Sequence, residues 1–234
     1  RRQRQMCIRD SLYPKHLTDE LIEVVASGRK VLRYLDLPLQ HIDDSILRAM
    51  NRGVTRAETE RLVDRLRDRI EGLVLRTTLM TGFPGETEQQ FEELLGFVRQ
   101  RRFERLGVFA YSREEGTPSD RMSGHLPGAV AQARRQRLLA LQQQIAFAWT
   151  ESLVGRQLEV IIDRALAEQS DAFVGRSYAD APEIDGVVYV TGQGLKPGQI
   201  VPCEIVAAQG YDAIGVAVGP DVRGPEGLAA MSGE

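Results

Sequence analysis

Cysteine and several other features that define common protein classes are scarce in this sequence. Its 234 residues include two cysteines, one tryptophan and three histidines. Cysteines as far apart as Cys7 and Cys203 neither hold together a small secreted fold nor offer the spacing of a metal site. No uncharged apolar run approaches the roughly 18 residues that a membrane span needs. The basic N-terminus leads into no apolar segment, so we predict a cytoplasmic protein without a signal peptide.

Charge is distributed unevenly along the chain. The formal net charge is −3, from 30 Lys and Arg against 33 Asp and Glu. Residues 1–150 have an excess of five basic residues, whereas residues 151–218 carry four basic and ten acidic residues. Because phosphate contacts require cations, we do not expect direct nucleic-acid binding by the acidic region. An acidic surface is better suited to a basic protein partner.

The first 125 residues alternate between strand and helix periodicity. Helices are predicted at 17–27, 43–50 and 55–70, and after a cap at Thr87. Strands are predicted at 31–40, 73–81 and 105–112. Strand, polar loop, helix and strand is the order of parallel α/β structure, whose active face lies at the C-terminal strand ends. We therefore expect functional residues at these three ends.

The second half of the chain has a different character. Residues 127–153 predict one long helix. Five short strands, separated by Gly, Pro and Asp, predict a small OB-like barrel. These strands are 158–163, 172–177, 187–191, 199–207 and 213–218. The predicted organisation is an unmatched segment at 1–10, an α/β part at 11–125, a connecting helix at 126–152, a barrel at 153–218 and a disordered tail at 219–234.

The turn at residues 82–86 (GFPGE) is a candidate ligand-binding site at the second strand end. Two glycines around a proline allow the backbone to approach a ligand closely, with exposed N–H groups and the Glu86 carboxylate beside them. The alternative is a plain strand-to-helix turn in which Glu86 stabilises the helix N-terminus. Short Gly-rich turns do not distinguish these readings.

Other candidates are single residues with two interpretations. Gln40 could bind a ribose or carboxylate or cap a loop, and His41 could be a ligand or a structural residue. Tyr111 and Ser112 could line an adenine pocket, although an aromatic at a strand end commonly belongs to the core. Asp36 lies inside an apolar strand, so it must be paired or face a polar lumen.

Four sequence motifs resemble the methylthiotransferase group of radical S-adenosylmethionine enzymes. They are 34–41 (YLDLPLQH), 46–53 (ILRAMNRG), 75–87 (LRTTLMTGFPGET) and 109–117 (FAYSREEGT). The resemblance covers roughly residues 11–218 and implies an α/β fold, the C-terminal part of a partial (β/α)6 radical SAM barrel. The five-stranded module resembles a TRAM domain, which follows the radical domain in this group.

Within the group, three features separate two branches. The tRNA-modifying branch has a Gln-Ser-Gly loop, an Arg-Pro-Gly-Thr ending and a basic TRAM domain. This chain has Gln40 followed by His41, a Glu-Glu-Gly-Thr ending at 114–117 and an acidic module. It therefore resembles the branch that adds a methylthio group to the β-carbon of an aspartate on a small-subunit ribosomal protein. The alternatives are the tRNA adenosine branch and a non-catalytic remnant that binds a ribosomal protein.

The resemblance also implies cofactors and site residues. S-adenosylmethionine and two 4Fe-4S clusters serve this family, but neither cysteine triad is present, and Cys7 replaces neither. We therefore predict no catalytic residue and no metal ligand, and expect the fragment to be inactive alone. The implied cofactor-binding residues are Gln40, His41, Arg76, Gly82, Gly85, Glu86, Phe109 and Tyr111, with Ala110, and the substrate-facing candidates are Asp36 and Ser112. The implied partner is a ribosomal protein docked on the acidic barrel. Because half a barrel leaves strand edges unpaired, we expect residues 11–125 alone to be aggregation-prone or partly molten and the small β-barrel to fold independently.

Overall fold

The computed structural model describes residues 14–27, 31–166 and 171–219. Its residues form two compact units, and the boundary lies between Ile145 and Ala146. The expectations for residues 1–10, including Cys7, and for residues 220–234 of the predicted tail lie outside the described residues. No helix in the described ranges is long and apolar enough to cross a bilayer.

The first unit contains a three-stranded parallel sheet. Its strands are β1 (Tyr34–Asp36), β2 (Val74–Thr81) and β3 (Arg105–Ala110), with β2 in the centre. Its helices are α1 (Asp19–Ser27), α2 (Asp44–Ala49), α3 (Arg56–Arg69), α4 (Glu88–Arg101) and α5 (Gly128–Glu151), the last of which crosses the unit boundary. Side chains alternate along β2, so that Leu75, Thr77 and Leu79 are buried on one face. The apolar members join aromatic residues of α4 in one core.

Local sequence signals determine where the helices begin. Asp43 caps α2 by accepting hydrogen bonds from two backbone N–H groups. Thr55 with Glu58, and Thr87 with Gln90, form capping boxes at α3 and α4. Each such cap stabilises the fold by about 1 kcal/mol. The helix starts predicted at these positions are therefore confirmed.

The strand predicted at residues 31–40 is wrong in its length. Regular pairing of β1 with β2 ends at Asp36, and a single bridge at Gln40 follows. Pro38 has no N–H to donate to the ladder, and Gln40 adopts a left-handed φ of 72°. The strand predicted at 105–112 likewise ends at Ala110. The regular sheet is therefore shorter than its apolar sequence pattern.

The second unit is a closed five-stranded barrel. Its strands are β4 (Gln157–Ala165), β5 (Ala172–Arg176), β6 (Val188–Thr191), β7 (Ile200–Gln209) and β8 (Asp212–Ala217), in the order β4-β5-β6-β8-β7. Only the β6–β8 pairing is parallel. Inward side chains such as Val160, Phe173 and Ile205 fill the interior. The predicted fold class, a parallel α/β part followed by a five-stranded barrel, is confirmed.

One prediction concerns the close approach of Gly82 to α5. A Cβ at Gly82 would lie 2.2 Å from the Ala131 Cβ, whereas a Cβ at Gly85 would meet nothing within 4 Å. Both glycines have a positive φ, near 80°. Gly85→Ala should therefore cost only the conformational penalty of about 1 to 2 kcal/mol, and Gly82→Ala roughly 1 to 3 kcal/mol more because of the steric clash. Urea unfolding of both variants measures the difference, and equal losses of stability would contradict the packing described.

Candidate functional site

A cleft of about 550 Å³ opens at the C-terminal ends of the strands of the first unit. We call it the strand-end cleft, and its main lining residues are Gln40, Met50, Asn51, Met80, Phe83, Phe109, Ala110, Tyr111 and Ser112. In parallel α/β structure, ligands bind at this end of the sheet because loops of different strands meet there. The cleft is therefore the primary candidate for a binding site.

Aromatic rings form part of the cleft wall. The Phe83 and Tyr111 rings meet edge to face, with centroids 5.4 Å apart and an interplanar angle of 75°. The His125 ring lies 6.0 Å from the Tyr111 ring at an angle of 32°. The Phe109 side chain is 59% exposed. Such flat apolar surfaces suit the face of a planar ring system such as a nucleobase.

Several polar groups of the cleft have no protein partner. Within the described residues, the side chains of Gln40, Asn51 and Ser112 make no hydrogen bond. The Tyr111 hydroxyl is buried and has none either. Asn51 and Ser112 are exposed and Gln40 is half-buried, so these three side chains are open to water and can exchange it for a ligand. The Tyr111 hydroxyl is the buried group that would gain a partner, since buried polar groups in native proteins are normally hydrogen-bonded.

The cleft brings together some predicted site residues and adds others. Gln40, Phe109, Ala110, Tyr111 and Ser112 line it as expected. Sequence reasoning included Phe83 in the candidate turn at 82–86 but did not single out Met50, Asn51 and Met80, and all four line the cleft. Asn51 belongs to the motif at 46–53 and adopts a φ of 55°. Asparagine tolerates this left-handed conformation, so an Asn directly after a short helix was the available signal.

The turn at residues 82–86 does not present free N–H groups, contrary to our expectation. The Gly82 and Phe83 N–H groups both donate to Glu86 Oε2, at 2.5 and 3.3 Å. The Gly85 N–H donates to the Gly124 carbonyl at 2.9 Å, and the Glu86 N–H to the Phe83 carbonyl at 3.0 Å. Pro84 has no N–H. The turn therefore uses its donors internally, and it shapes the cleft through the Phe83 ring.

A buried ion pair locks this turn onto α5. The Arg134 guanidinium donates to Glu86 Oε1 at 2.9 Å and to the Glu86 carbonyl at 3.0 Å. Both residues are buried, at 5% and 2% exposure. Burial raises the pKa of the Glu86 carboxyl, and the N–H donors and Arg134 counteract this effect. Burying a carboxylate without its counter-ion is costly. Removing Arg134 would therefore leave an uncompensated charge on the buried Glu86.

His41 lies beneath the cleft and does not line it. Its ring is fully buried, and its Nδ1 accepts a hydrogen bond from the Asp43 N–H at 3.0 Å. Burial, with a smaller contribution from Arg134, lowers the pKa of His41 to about 4, although Asp43 acts in the opposite direction. His41 is therefore neutral at pH 7 and supports the loop after β1.

Asp36 and Arg76 form an ion pair on neighbouring strands. The Arg76 Nη1 donates to Asp36 Oδ2 at 2.5 Å, and the two residues are register partners in β1 and β2. Alternation along β2 puts Arg76 on the same face as Met80, about 13 Å from it along the strand. The pair thus shares a face of the sheet with the cleft but does not line it.

The residues present do not fit an iron–sulfur cluster. Cys203 is the single cysteine within the described ranges, and it lies fully buried in the barrel interior. Burial raises the pKa of its thiol to about 11, which disfavours the thiolate that binds iron. No three His, Cys, Asp or Glu of the described residues come together as a metal site requires. The described residues therefore offer no binding site for an iron–sulfur cluster.

Comparison with known proteins identifies two family models. Residues 9–98 match the Radical SAM superfamily, and residues 154–218 match the TRAM domain. The E. coli coproporphyrinogen III oxidase HemN, described as a radical SAM enzyme, aligns with 79% of this chain and 46% of its own chain. The TM-score is 0.50 at 14% identity, so this likeness concerns the fold alone.

Curated relatives match most of the chain. The ribosomal protein uS12 methylthiotransferase RimO of Caldanaerobacter subterraneus is 47% identical over 204 residues, which are 87% of this chain and 46% of that protein. RimO of Anaeromyxobacter sp. strain Fw109-5 is 46% identical over 209 residues, 89% of this chain and 44% of that protein. These matches confirm the resemblance to the ribosomal-protein branch. The chain spans about half the length of the curated relatives it matches.

The low pKa of His41 predicts a loss of stability in mild acid. The unfolded chain takes up this proton near pH 6.5, whereas the folded protein does so only near pH 4. The contribution of neutral His41 to the free energy of unfolding is thus fully present above pH 6.5. It decreases as the pH falls from 6.5 to 4, and about 2 kcal/mol is lost at pH 5.

The measurement is urea unfolding of the wild type and of His41→Asn between pH 7.5 and 5. Asparagine retains an acceptor for the Asp43 N–H but does not titrate. Carboxylates titrate in both proteins, so the difference in slope reports on His41. Parallel pH profiles would contradict the assignment of His41 as a buried neutral group.

Proposed function

This chain is a homologue of the RimO ribosomal protein uS12 methylthiotransferases that spans about half of their length, and we propose that its strand-end cleft binds the adenosyl part of S-adenosylmethionine. One observation carries this proposal: aromatic rings share the cleft with polar side chains that have no hydrogen-bond partner among the described residues, the buried Tyr111 hydroxyl among them. A nucleoside needs an apolar surface for its base and hydrogen-bonding groups for its ribose. The Radical SAM superfamily match supports this ligand class and 4Fe-4S chemistry for the family.

We assign roles by contact. Phe83, Phe109 and Tyr111 offer surfaces for the adenine, whereas Gln40 and Asn51 offer hydrogen bonds to the ribose. Ser112 is the exposed lining residue that we assign to the substrate side. The other predicted site residues do not contact the ligand in this proposal. Gly82, Gly85, Glu86 and His41 support the cleft from behind its lining. Arg76 pairs with Asp36 and does not line the cleft, so we assign neither residue a ligand contact.

We propose that the complete protein transfers a methylthio group to an aspartate of a small-subunit ribosomal protein, as the name of the relatives indicates for uS12. A ribosomal-protein substrate is consistent with the predicted cytoplasmic location. This chain cannot supply the radical step, because its two cysteines do not suffice to bind a cluster. Its contribution would be to hold the adenosyl group and to dock the protein substrate.

The docking surface that we propose is the outward face of β4 and β7 in the acidic barrel. Two acidic residues of the barrel have partners within it. Asp163 pairs with Arg176, and Asp212 accepts a hydrogen bond from the Val187 N–H. Glu159 and Glu204 are exposed and point outward from neighbouring strands. The exposed apolar residues beside them are Ile200 and Val206. An acidic surface with apolar anchors suits a basic protein segment.

This charge distribution also weighs on the two alternatives. A tRNA-binding barrel would need an excess of cations to contact phosphates, whereas residues 151–218 carry four basic against ten acidic residues. A non-catalytic remnant would share the proposed docking surface but would not need the cleft. Binding of an adenosyl ligand therefore separates the enzyme fragment from the remnant.

The adenosyl proposal predicts a specific role for Tyr111. We expect Tyr111→Leu to weaken binding of S-adenosylhomocysteine by about 1 to 3 kcal/mol, the typical contribution of a base stacked on an aromatic ring. Tyr211→Leu is the matched control, because Tyr211 is an exposed tyrosine of the barrel. Calorimetric titration of both variants and the wild type measures the effect. Equal affinities for the two variants would refute the cleft as the adenosyl site.

The docking proposal predicts a charge effect confined to one face. We expect Glu159→Lys with Glu204→Lys to reduce affinity for ribosomal protein uS12 at least tenfold, since each exposed charge would turn from attractive to repulsive. The control is Glu151→Lys with Glu183→Lys, which changes the net charge equally at exposed positions of the same unit. Titration at two salt concentrations, with tRNA as a parallel ligand, is the measurement. Stronger binding to tRNA than to uS12 by the wild type would favour the tRNA branch.

A further inference from the structure

The chain after β1 contains one residue more than the β2 ladder can pair. The Leu37 N–H donates to the Arg76 carbonyl at 2.8 Å, as in a regular parallel ladder. The next N–H in the ladder, which donates to the Thr78 carbonyl, should come from Leu39 but comes from Gln40, also at 2.8 Å. Three residue steps on one strand thus correspond to two on the other. This arrangement is a one-residue bulge.

A single hydroxyl satisfies the backbone groups inside the bulge. Thr77 Oγ1 donates to the Leu37 carbonyl at 2.8 Å and accepts from the Leu39 N–H at 3.3 Å. Pro38, between these two residues, has no N–H of its own. Leu37, Leu39 and Thr77 are all at most 2% exposed, so water is not available to replace the hydroxyl. Loss of that hydroxyl would leave two buried backbone groups unpaired.

The bulge determines where Gln40 stands. Its backbone φ is 72°, a left-handed value that is strained for a residue with a Cβ. Two hydrogen bonds hold this conformation, from the Gln40 N–H to the Thr78 carbonyl and from the Met80 N–H to the Gln40 carbonyl, both at 2.8 Å. The side-chain amide then lies at the strand-end cleft and has no hydrogen-bond partner among the described residues. Residues held in such strained conformations cluster at ligand sites.

We infer that Thr77 is a positioning residue: its buried hydroxyl holds the bulge that presents the Gln40 amide to the adenosyl ligand. This inference rests on the proposed function of the cleft. Thr77 itself faces the core and has no access to the ligand, so its whole effect on binding passes through Gln40. A purely structural threonine would change stability but would leave the contribution of Gln40 intact.

A double-mutant cycle on the full chain tests this coupling. We expect Thr77→Val, which keeps the shape and removes the hydroxyl, to weaken S-adenosylhomocysteine binding roughly tenfold, and Gln40→Ala to do the same. That factor corresponds to one hydrogen bond of about 1.4 kcal/mol. The double variant should bind no more weakly than Gln40→Ala alone, and Thr77→Ser should bind like the wild type. Wild-type affinity of Thr77→Val, or additive losses in the double variant, would overturn the inference.

A second readout does not depend on the ligand. The intraresidue NOE between the amide and α protons of Gln40, measured by NMR, reports the sign of its φ, because these two protons lie closer together at a positive φ. We expect Thr77→Val to lose the strong NOE of the positive φ and Thr77→Ser to retain it. If Thr77→Val does not fold, Thr77→Ala takes its place in both measurements. Failure of the wild type to bind would refute the adenosyl site alone, and an unchanged NOE in Thr77→Val or Thr77→Ala would refute the role of Thr77.

Discussion

The buried carboxylate of Glu86 organises the end of β2 and, through it, the strand-end cleft. It accepts the Gly82 and Phe83 N–H groups on one oxygen and the Arg134 guanidinium on the other. These bonds close the turn, hold it against α5 and orient Phe83 toward the Tyr111 ring. Without Arg134 the Glu86 carboxylate would be buried without its counter-ion, whereas without Glu86 the Arg134 guanidinium would still pair with Glu88 at 2.9 Å. The position of the Phe83 ring in the cleft wall thus depends on the Glu86–Arg134 ion pair, although neither of these two residues lines the cleft.

Polar residues around the cleft fall into two groups by their hydrogen bonding. Glu86 uses its hydrogen bonds within the protein, and Asp36 pairs with Arg76, so these residues serve as framework. The Gln40 amide and the Tyr111 hydroxyl line the cleft and have no partner among the described residues. Since a buried polar group without a partner costs free energy in a folded protein, the Tyr111 hydroxyl in particular favours a ligand in the cleft. Side-chain type alone does not reveal this distinction, but hydrogen-bond partners do.

The barrel shows the same principle for charge. Its acidic excess includes residues that only support the local fold: Asp163 pairs with Arg176, and Asp212 caps a strand end through the Val187 N–H. Glu159 and Glu204 have no such task and stand beside Ile200 on the exterior. A net charge counted from the sequence describes the long-range field, whereas the exposed carboxylates define where a partner would be contacted.

Sequence alone determined the features that arise from neighbours a few residues apart. The capping boxes at Thr55 and Thr87, the period-2 strands of the barrel and the strand-end motifs were all predictable, because residues three or two positions apart decide them. Tertiary structure decided which candidates meet in the cleft. Arg134 lies 48 residues from Glu86 in the sequence and binds its carboxylate, which the sequence had suggested would lie beside a ligand. Thr77 lies 40 residues from Leu37 and satisfies the backbone groups of the bulge that follows β1. No local pattern encodes such partners, because their hydrogen bonds form only after the strands and helices have packed.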